Sequence, residues 1–539
     1  MAISKKLRQS AMKRCEATMS KPLPAGVQNF RDLIESDYLY IDKTQLIAEM
    51  LRAPKGIYFL SRPRRFGKSL LISTLKELFL GNKELFRGLW LYESDYAWPS
   101  YPVLHFDFSL ERARSATEII EIIGNYLQEM ADQHKISLEK TNVQRQFRHL
   151  IQQLAEQSEQ KRVVILVDEY DYPIIDNIEN VAEAERIRDV LKGFYTVIKA
   201  LDSHVRFLLL TGVTKFSRVG VFSGLNNLTD LSMDARFAAL PGITQTEIAT
   251  NLSEYLEAFA QQHGQSVAEV WTQLERWYNG FRFSKSPLTV YNPFSLLQLF
   301  TVQDFRNYWF ESGTPTFLIK LIKARNFALS ELTDLRLEEI AFTSYEIERL
   351  DVLPLLFQTG YLTIKDYDPQ RNVYTLGYPN YEVENAFMSW LLGAFSEIEQ
   401  ALSTSHLWRL IDALLARDLP SFFSTLHIFF AQIPYDLQVQ REQYYQTIFY
   451  LIFTLIGLRV SAEKRTNQGR IDTVVELNND VYLFEFKLDG SEATALQQIK
   501  DKGYADAYLG RGKTIHLVGV NFDSTTRSVG GWQEALISP

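Results

Sequence analysis

Cysteine is almost absent: the 539 residues hold one, Cys15, so no internal disulfide can form. That suits a reducing compartment, and a cytoplasmic protein is expected. The eight histidines are scattered, which leaves no metal site of the Cys/His type. Long apolar runs are missing as well. The most hydrophobic stretch, Phe449 to Leu458, has about half the length a membrane helix needs. It reads as a buried helix, and no membrane partner is expected. Nor is positive charge in excess. With 57 Lys and Arg against 65 Asp and Glu, the formal net charge is -8. A wholly basic nucleic-acid coat is excluded, and contacts with DNA or RNA must come from local patches. Repeats and low-complexity tracts are not found. Residues 1–25 carry Lys5, Lys6, Arg8, Lys13 and Arg14 around short apolar pieces, the pattern of a solvated basic head rather than a secretory signal.

What the chain does have is enough hydrophobic content, 46%, for roughly three domains. Residues 26–245 alternate strand and helix patterns, the sign of a parallel α/β sheet. Strand candidates are Gly56–Leu60, Tyr101–Phe108, Arg162–Val167 and Val205–Leu210. Residues 246–434 read as mainly helical and rich in aromatics, with turn signals at Trp277-Tyr278-Asn279-Gly280-Phe281 and Tyr291-Asn292-Pro293-Phe294. Residues 435–539 read as a small α/β unit. It comprises a helix from Glu442 to Leu455, a hairpin of strands 470–477 and 481–488, a helix over 493–502 and a strand over 514–522.

Between the first strand and a helix marked by Leu71, Leu75 and Leu78 stands Ser61-Arg62-Pro63-Arg64-Arg65-Phe66-Gly67-Lys68-Ser69. It ends as a phosphate-binding loop should, although Arg62 replaces the usual first glycine. Backbone N–H groups of Arg64, Arg65, Phe66, Gly67, Lys68 and Ser69 would cradle phosphate oxygens of ATP at the helix N-terminus. Lys68 would neutralise the β/γ-phosphates, and the Ser69 hydroxyl would hold Mg²⁺. Arg64 and Arg65 add positive charge. About a hundred residues on, the apolar run Val163–Val167 ends in Asp168-Glu169. Acids at the C-terminal end of a buried parallel strand suit Asp168 for Mg²⁺ through water and Glu169 for general base. The run Phe207–Leu210 leads into Thr214 and Lys215, polar residues placed to sense a γ-phosphate.

A second constellation lies near the C-terminus. Glu485 and Lys487 are two apart in a strand and so share a face. Asp472 sits on the preceding strand. Glu442 ends the inward stripe Tyr445, Phe449, Ile452 and Ile456 of the upstream helix. Convergent carboxylates, Asp472 and Glu485 first, can bind Mg²⁺ for hydrolysis of a phosphodiester, with Lys487 orienting water and offsetting phosphate charge. Arg459, Lys464, Arg465 and Arg470 precede the site and could meet phosphates.

Tyr40-Ile41-Asp42-Lys43-Thr44, the Arg62–Ser69 loop, Asp168-Glu169-Tyr170-Asp171, Thr211–Ser217, Phe222–Leu228 and Trp277–Phe281 occur in that order. Over residues 24 to 300 they resemble the bacterial and archaeal AAA-ATPase-like proteins. The resemblance implies a P-loop NTPase domain in which Arg62 is a family trait. It also leaves open a homo-oligomeric ring with an arginine supplied in trans. Gly469-Arg470-Ile471-Asp472, Phe484-Glu485-Phe486-Lys487 and Gln498-Ile499 resemble the PD-(D/E)XK nuclease superfamily over residues 435–530, which implies that Gln498 stands near the catalytic face. The expected protein is therefore α/β: a P-loop NTPase parallel-sheet domain, a helical middle region and a small nuclease-like domain. Two readings follow, an ATP-dependent, Mg²⁺-requiring nuclease acting on DNA, or a nucleotide-dependent switch or scaffold whose nuclease-like domain only binds nucleic acid or a partner.

Overall fold

A computed structural model describes residues 21–539 apart from 217–224, 226, 312–315, 326, 328, 333–334, 344–350, 434–441, 460–472, 478 and 527. The chain divides into two compact units, Met1–Leu321 with Asp334–Asn380, and Ile322–Thr333 with Tyr381–Pro539.

The first unit is built on a parallel sheet. Its strands are β1 (Gly56–Ser61), β2 (Val103–Asp107), β3 (Val163–Asp168), β4 (Val205–Gly212) and β5 (Thr229–Asp230), laid out in the order β2-β3-β4-β1-β5 with every pairing parallel. Val163 to Val167 and Phe207 to Leu210 are fully buried, because helices cover both faces of a parallel sheet and leave its strands no polar side. The helix Lys68–Phe79 leaves β1 directly and buries Leu71, Ile72, Leu75, Leu78 and Phe79. It stops at Gly81, whose N–H bonds the Leu78 carbonyl at φ +79°.

Further along the unit, helices Gln245–Asn251, Ser253–His263, Val267–Tyr278 and Pro293–Val302 share one apolar core. The first and third start with capping boxes, Thr244 with Glu247 and Ser266 with Glu269; each satisfies two otherwise orphaned donors. Glu247 also takes Lys43 at 2.6 Å, which fastens the Tyr40–Thr44 segment to these helices. The helical expectation missed a small antiparallel sheet of β6 (Leu335–Leu337), β7 (Thr363–Asp368) and β8 (Val373–Gly377), ordered β6-β8-β7.

In the second unit, helices Tyr381–Ser396, Gln400–Leu415, Leu419–Ala431 and Glu442–Arg459 accompany a sheet. Its strands are β9 (Thr473–Glu476), β10 (Asp480–Leu488), β11 (Thr514–Asp523) and β12 (Ser528–Ile537) in the order β12-β11-β10-β9. β9 and β10 pair antiparallel as the hairpin predicts, and β10 and β11 run parallel. β12 was not foreseen. The Phe449–Leu458 run is helical, and Ile448 to Ile456 include seven buried apolar residues. Phe449 stacks on Phe486 at 4.4 Å, and Phe453 packs on Phe484 at 4.8 Å. Among the described residues no helix is long and apolar enough to cross a membrane.

Helix Glu492–Asp501 lies directly on β11. A Cβ on Gly519 would stand 2.2 Å from the Glu492 carbonyl oxygen and 2.5 Å from the Leu496 nitrogen. Backbone atoms cannot yield as a side-chain tip can. Gly519→Ala should therefore destabilise the protein by about 2 kcal/mol or more, seen as a lower midpoint of urea unfolding. Gly457 meets nothing within 4 Å in its helix, so Gly457→Ala should leave the midpoint level or raise it; equal midpoints for both variants would contradict the close-approach argument.

Candidate functional site

Strand order creates the first site. β4 lies between β1 and β3, so the loop after β1 and the acids after β3 meet across one strand at the carboxyl edge, where open α/β sheets hold ligands. Gly67 caps the loop helix at φ +91°, a left-handed conformation that favours glycine. Lys68 follows, 3% exposed. A buried ammonium needs partners, and its Nζ finds three. It donates to the carbonyls of Arg62 at 3.1 Å and Pro63 at 3.3 Å, and lies 3.1 Å from Glu169 Oε1.

Glu169 is itself unusual, since its backbone is left-handed at φ +49°, a conformation that costs a non-glycine residue about 1–2 kcal/mol. Burial pushes its carboxyl up while Lys68 pulls it back down. Asp168, 2% exposed, accepts the Thr211 hydroxyl and the Glu169 N–H. A pocket beside this pair is lined by Arg64, Glu169, Asp171, Thr214, Trp309 and Tyr361 among others. Trp309 closes part of it by donating Nε1 to the Arg64 carbonyl at 3.1 Å.

The remaining loop residues divide. Ser69 is the second residue of the helix and half-buried. Arg65 sends its guanidinium over the Phe294 ring, and Phe66 is buried edge-on against Phe281 and Phe283. Thr214 borders the pocket, but its hydroxyl donates to Asp171 at 2.6 Å. The Lys215 ammonium pairs with Asp230 at 2.5 Å.

Arg62 explains the missing glycine. Its side chain, 1% exposed, turns inward beneath the loop. It donates to the carbonyls of Ser61 at 2.9 Å and Ser232 at 2.7 Å and lies 4.2 Å over the Phe283 ring. Burial lowers its pKa to about 9, so it remains a cation at neutral pH.

The second cluster belongs to the other unit. Glu485 and Lys487 share a face of β10, and Gln498 reaches them from helix Glu492–Asp501. Lys487 Nζ donates to Gln498 Oε1 at 2.7 Å and to Glu485 Oε1 at 3.3 Å; Gln498 Nε2 also donates to Glu485. Gly519 pairs with Glu485 in the parallel register. Its missing side chain admits the helix, and the helix delivers Gln498. Asp472 and the Glu442 side chain lie outside the described residues, as do Lys464, Arg465, Arg470 and the Arg459 side chain. Among the described residues no group of three His, Cys, Asp or Glu is placed to hold a metal ion.

Two contributors were not singled out from sequence. Asp171, quoted from sequence only inside the Asp168–Asp171 block, accepts the Val213 and Thr214 N–H groups, contacts that no local pattern reveals. Gly519 carried a readable signal, an isolated glycine inside a strand, which often marks close backbone approach.

A family model described as "Predicted AAA-ATPase" matches residues 24–222. A model described as "PD-(D/E)XK nuclease superfamily" matches residues 440–532. The "Uncharacterized protein in vnfD 5'region" of Azotobacter chroococcum mcd 1 is 41% identical over 525 residues, covering 95% of this chain and 98% of that protein.

Restoring the usual glycine should harm this loop. Arg62→Gly removes a buried cation together with its three hydrogen bonds, to the Ser61, Ser232 and Phe237 carbonyls, and its ring contact, a loss of roughly 2–4 kcal/mol. A fall in melting temperature without tighter nucleotide binding is expected. An unchanged melting temperature would show that the buried guanidinium supports nothing.

Proposed function

We propose that this chain, which belongs to the predicted AAA-ATPase family and carries a PD-(D/E)XK nuclease superfamily module near its C-terminal end, binds and hydrolyses ATP and uses that cycle to control Mg²⁺-dependent cleavage of DNA. The observation that carries the reading is the 3.1 Å approach of Lys68 to Glu169. A phosphate-loop lysine and a strand-end glutamate are the pair that ATP hydrolysis needs.

On this reading Lys68 exchanges its hold on the loop carbonyls for the β/γ-phosphates. Glu169 takes a proton from the attacking water, as a carboxylate whose pKa burial pushes up while Lys68 draws it down. Arg64 borders the same pocket and adds positive charge where negative charge develops. Lys215 would serve as the γ-phosphate sensor on leaving Asp230, while the Thr214 hydroxyl stays on Asp171. The donor chemistry suits Mg²⁺, with a hydroxyl from Ser69 and a buried carboxylate from Asp168. In the second unit Glu485 with Asp472, and Glu442 beyond them, would hold the ion. There Lys487, braced by Gln498, orients water and offsets phosphate charge. Bound Mg²⁺ supplies charge neutralisation at phosphate oxygens at both sites.

Two variants separate the activities. Lys68→Ala should abolish ATP binding by calorimetry and ATP hydrolysis with it. Glu485→Ala should leave hydrolysis intact and abolish nicking of plasmid DNA with Mg²⁺ or Mn²⁺. If wild type and Glu485→Ala are equally inert on DNA and RNA, the nuclease half of the reading fails. A change of mass on ATP addition, followed by light scattering, would then identify a nucleotide-dependent assembly switch.

A further inference from the structure

The geometry points to Asp171 as the positioning residue of the hydrolytic site: its buried carboxylate ties the turn after β4 to the turn after β3 and thereby fixes where Glu169 stands. The inference rests on the ATPase reading of that site and goes beyond it.

A carboxylate 1% exposed costs several kcal/mol to bury unless donors surround it. Asp171 is well supplied. Its Oδ2 accepts the Val213 N–H at 3.1 Å, the Thr214 N–H at 2.6 Å and the Thr214 hydroxyl at 2.6 Å; Oδ1 accepts Val213 N–H at 3.3 Å. All these donors come from the turn after β4, about forty residues away in sequence. Tyr170 reinforces the link: its N–H bonds the Thr211 carbonyl at 2.9 Å and its hydroxyl donates to the Thr214 carbonyl at 3.0 Å. The two turns touch so closely that a Cβ on Gly212 would meet Asp171 Oδ1 at 2.4 Å and the Tyr170 ring at 2.7 Å.

Glu169 sits in the middle of this arrangement. On one side Asp168 Oδ1 accepts its N–H at 3.1 Å; on the other, two residues on, Asp171 is anchored. A left-handed glutamate relaxes unless its neighbours over-determine it. With both flanks fixed, the Glu169 side chain is held toward Lys68. Asp171 itself spends its acceptor capacity on backbone and hydroxyl donors, so it orients the base and does not replace it.

Asp171→Asn substitutes an amide NH₂ for one acceptor oxygen and breaks part of the clamp without changing size. The turnover number for ATP should fall about 10- to 100-fold, the penalty of a misplaced catalytic group. The ATP dissociation constant should stay within about twofold, because no phosphate-loop residue is altered. Thr214→Val should give a smaller loss in turnover, and the double variant should lose no more than Asp171→Asn alone, since both cut one clamp. Wild-type turnover in Asp171→Asn overturns the proposal, and so do parallel losses of binding, turnover and melting temperature, which mark a residue needed only for folding. If Asp171→Asn does not fold, Thr214→Val decides, and wild-type turnover in it is the contrary result. A wild-type protein that hydrolyses no ATP brings down the reading of the site and this proposal together. Hydrolysis by wild type with no effect of either variant brings down only the role of Asp171.

Discussion

A lysine ammonium buried to 3% exposure governs the first unit. Lys68 is there because the loop leaves β1 at the edge of the sheet and enters its helix at once. Having been buried, it needs oxygen. Two carbonyls of its own loop and one carboxylate supply it. That demand links features that otherwise look independent. β3 ends one strand away from the loop, Glu169 takes a left-handed backbone, and the turn after β4 bonds Asp171 two residues further on. Arg62 meets the same difficulty beneath the loop, as a second buried cation whose terminal nitrogens donate to carbonyls while its Nε has no hydrogen-bond partner among the described residues.

The second unit applies the same rule with weaker burial. Glu485 is 3% exposed along its side chain and Lys487 30%, so the carboxylate is enclosed while the ammonium still faces outward. Gln498 bridges them and can serve either, because an amide both donates and accepts. The carboxylate is thus held in place by an amide and a cation at once. The comparisons agree with both geometries at the level of domain type: an AAA-ATPase-like region and a nuclease-superfamily region on one chain.

Much of this architecture was readable because buried parallel strands are written as unbroken apolar runs, Val163–Val167 and Phe207–Leu210 being the clearest. The phosphate loop was readable from Gly67-Lys68-Ser69 in its strand-to-helix setting. The small sheet of the first unit was not, because β7 reads Thr-Ile-Lys-Asp-Tyr-Asp and exposes Lys365 and Asp366. A strand with so little inward face gives no alternation. β12 was hidden by Gly530 and Gly531, which break its pattern. At the sites, charge and spacing picked out Lys68, Asp168, Glu169, Glu485 and Lys487, which the fold gathers into two clusters. Arg65, Phe66 and Lys215 shared their segments but point to Phe294, Phe281 and Asp230, since adjacency along a loop does not fix direction.

Gly519 shows where the accuracy of the second cluster comes from. Two backbones in van der Waals contact have no rotamers to exchange and no torsions to soften the fit. The reach from Gln498 to Glu485 is therefore set by main-chain geometry, as a machined spacer sets a gap. An amide so mounted can turn its head, but its root cannot wander.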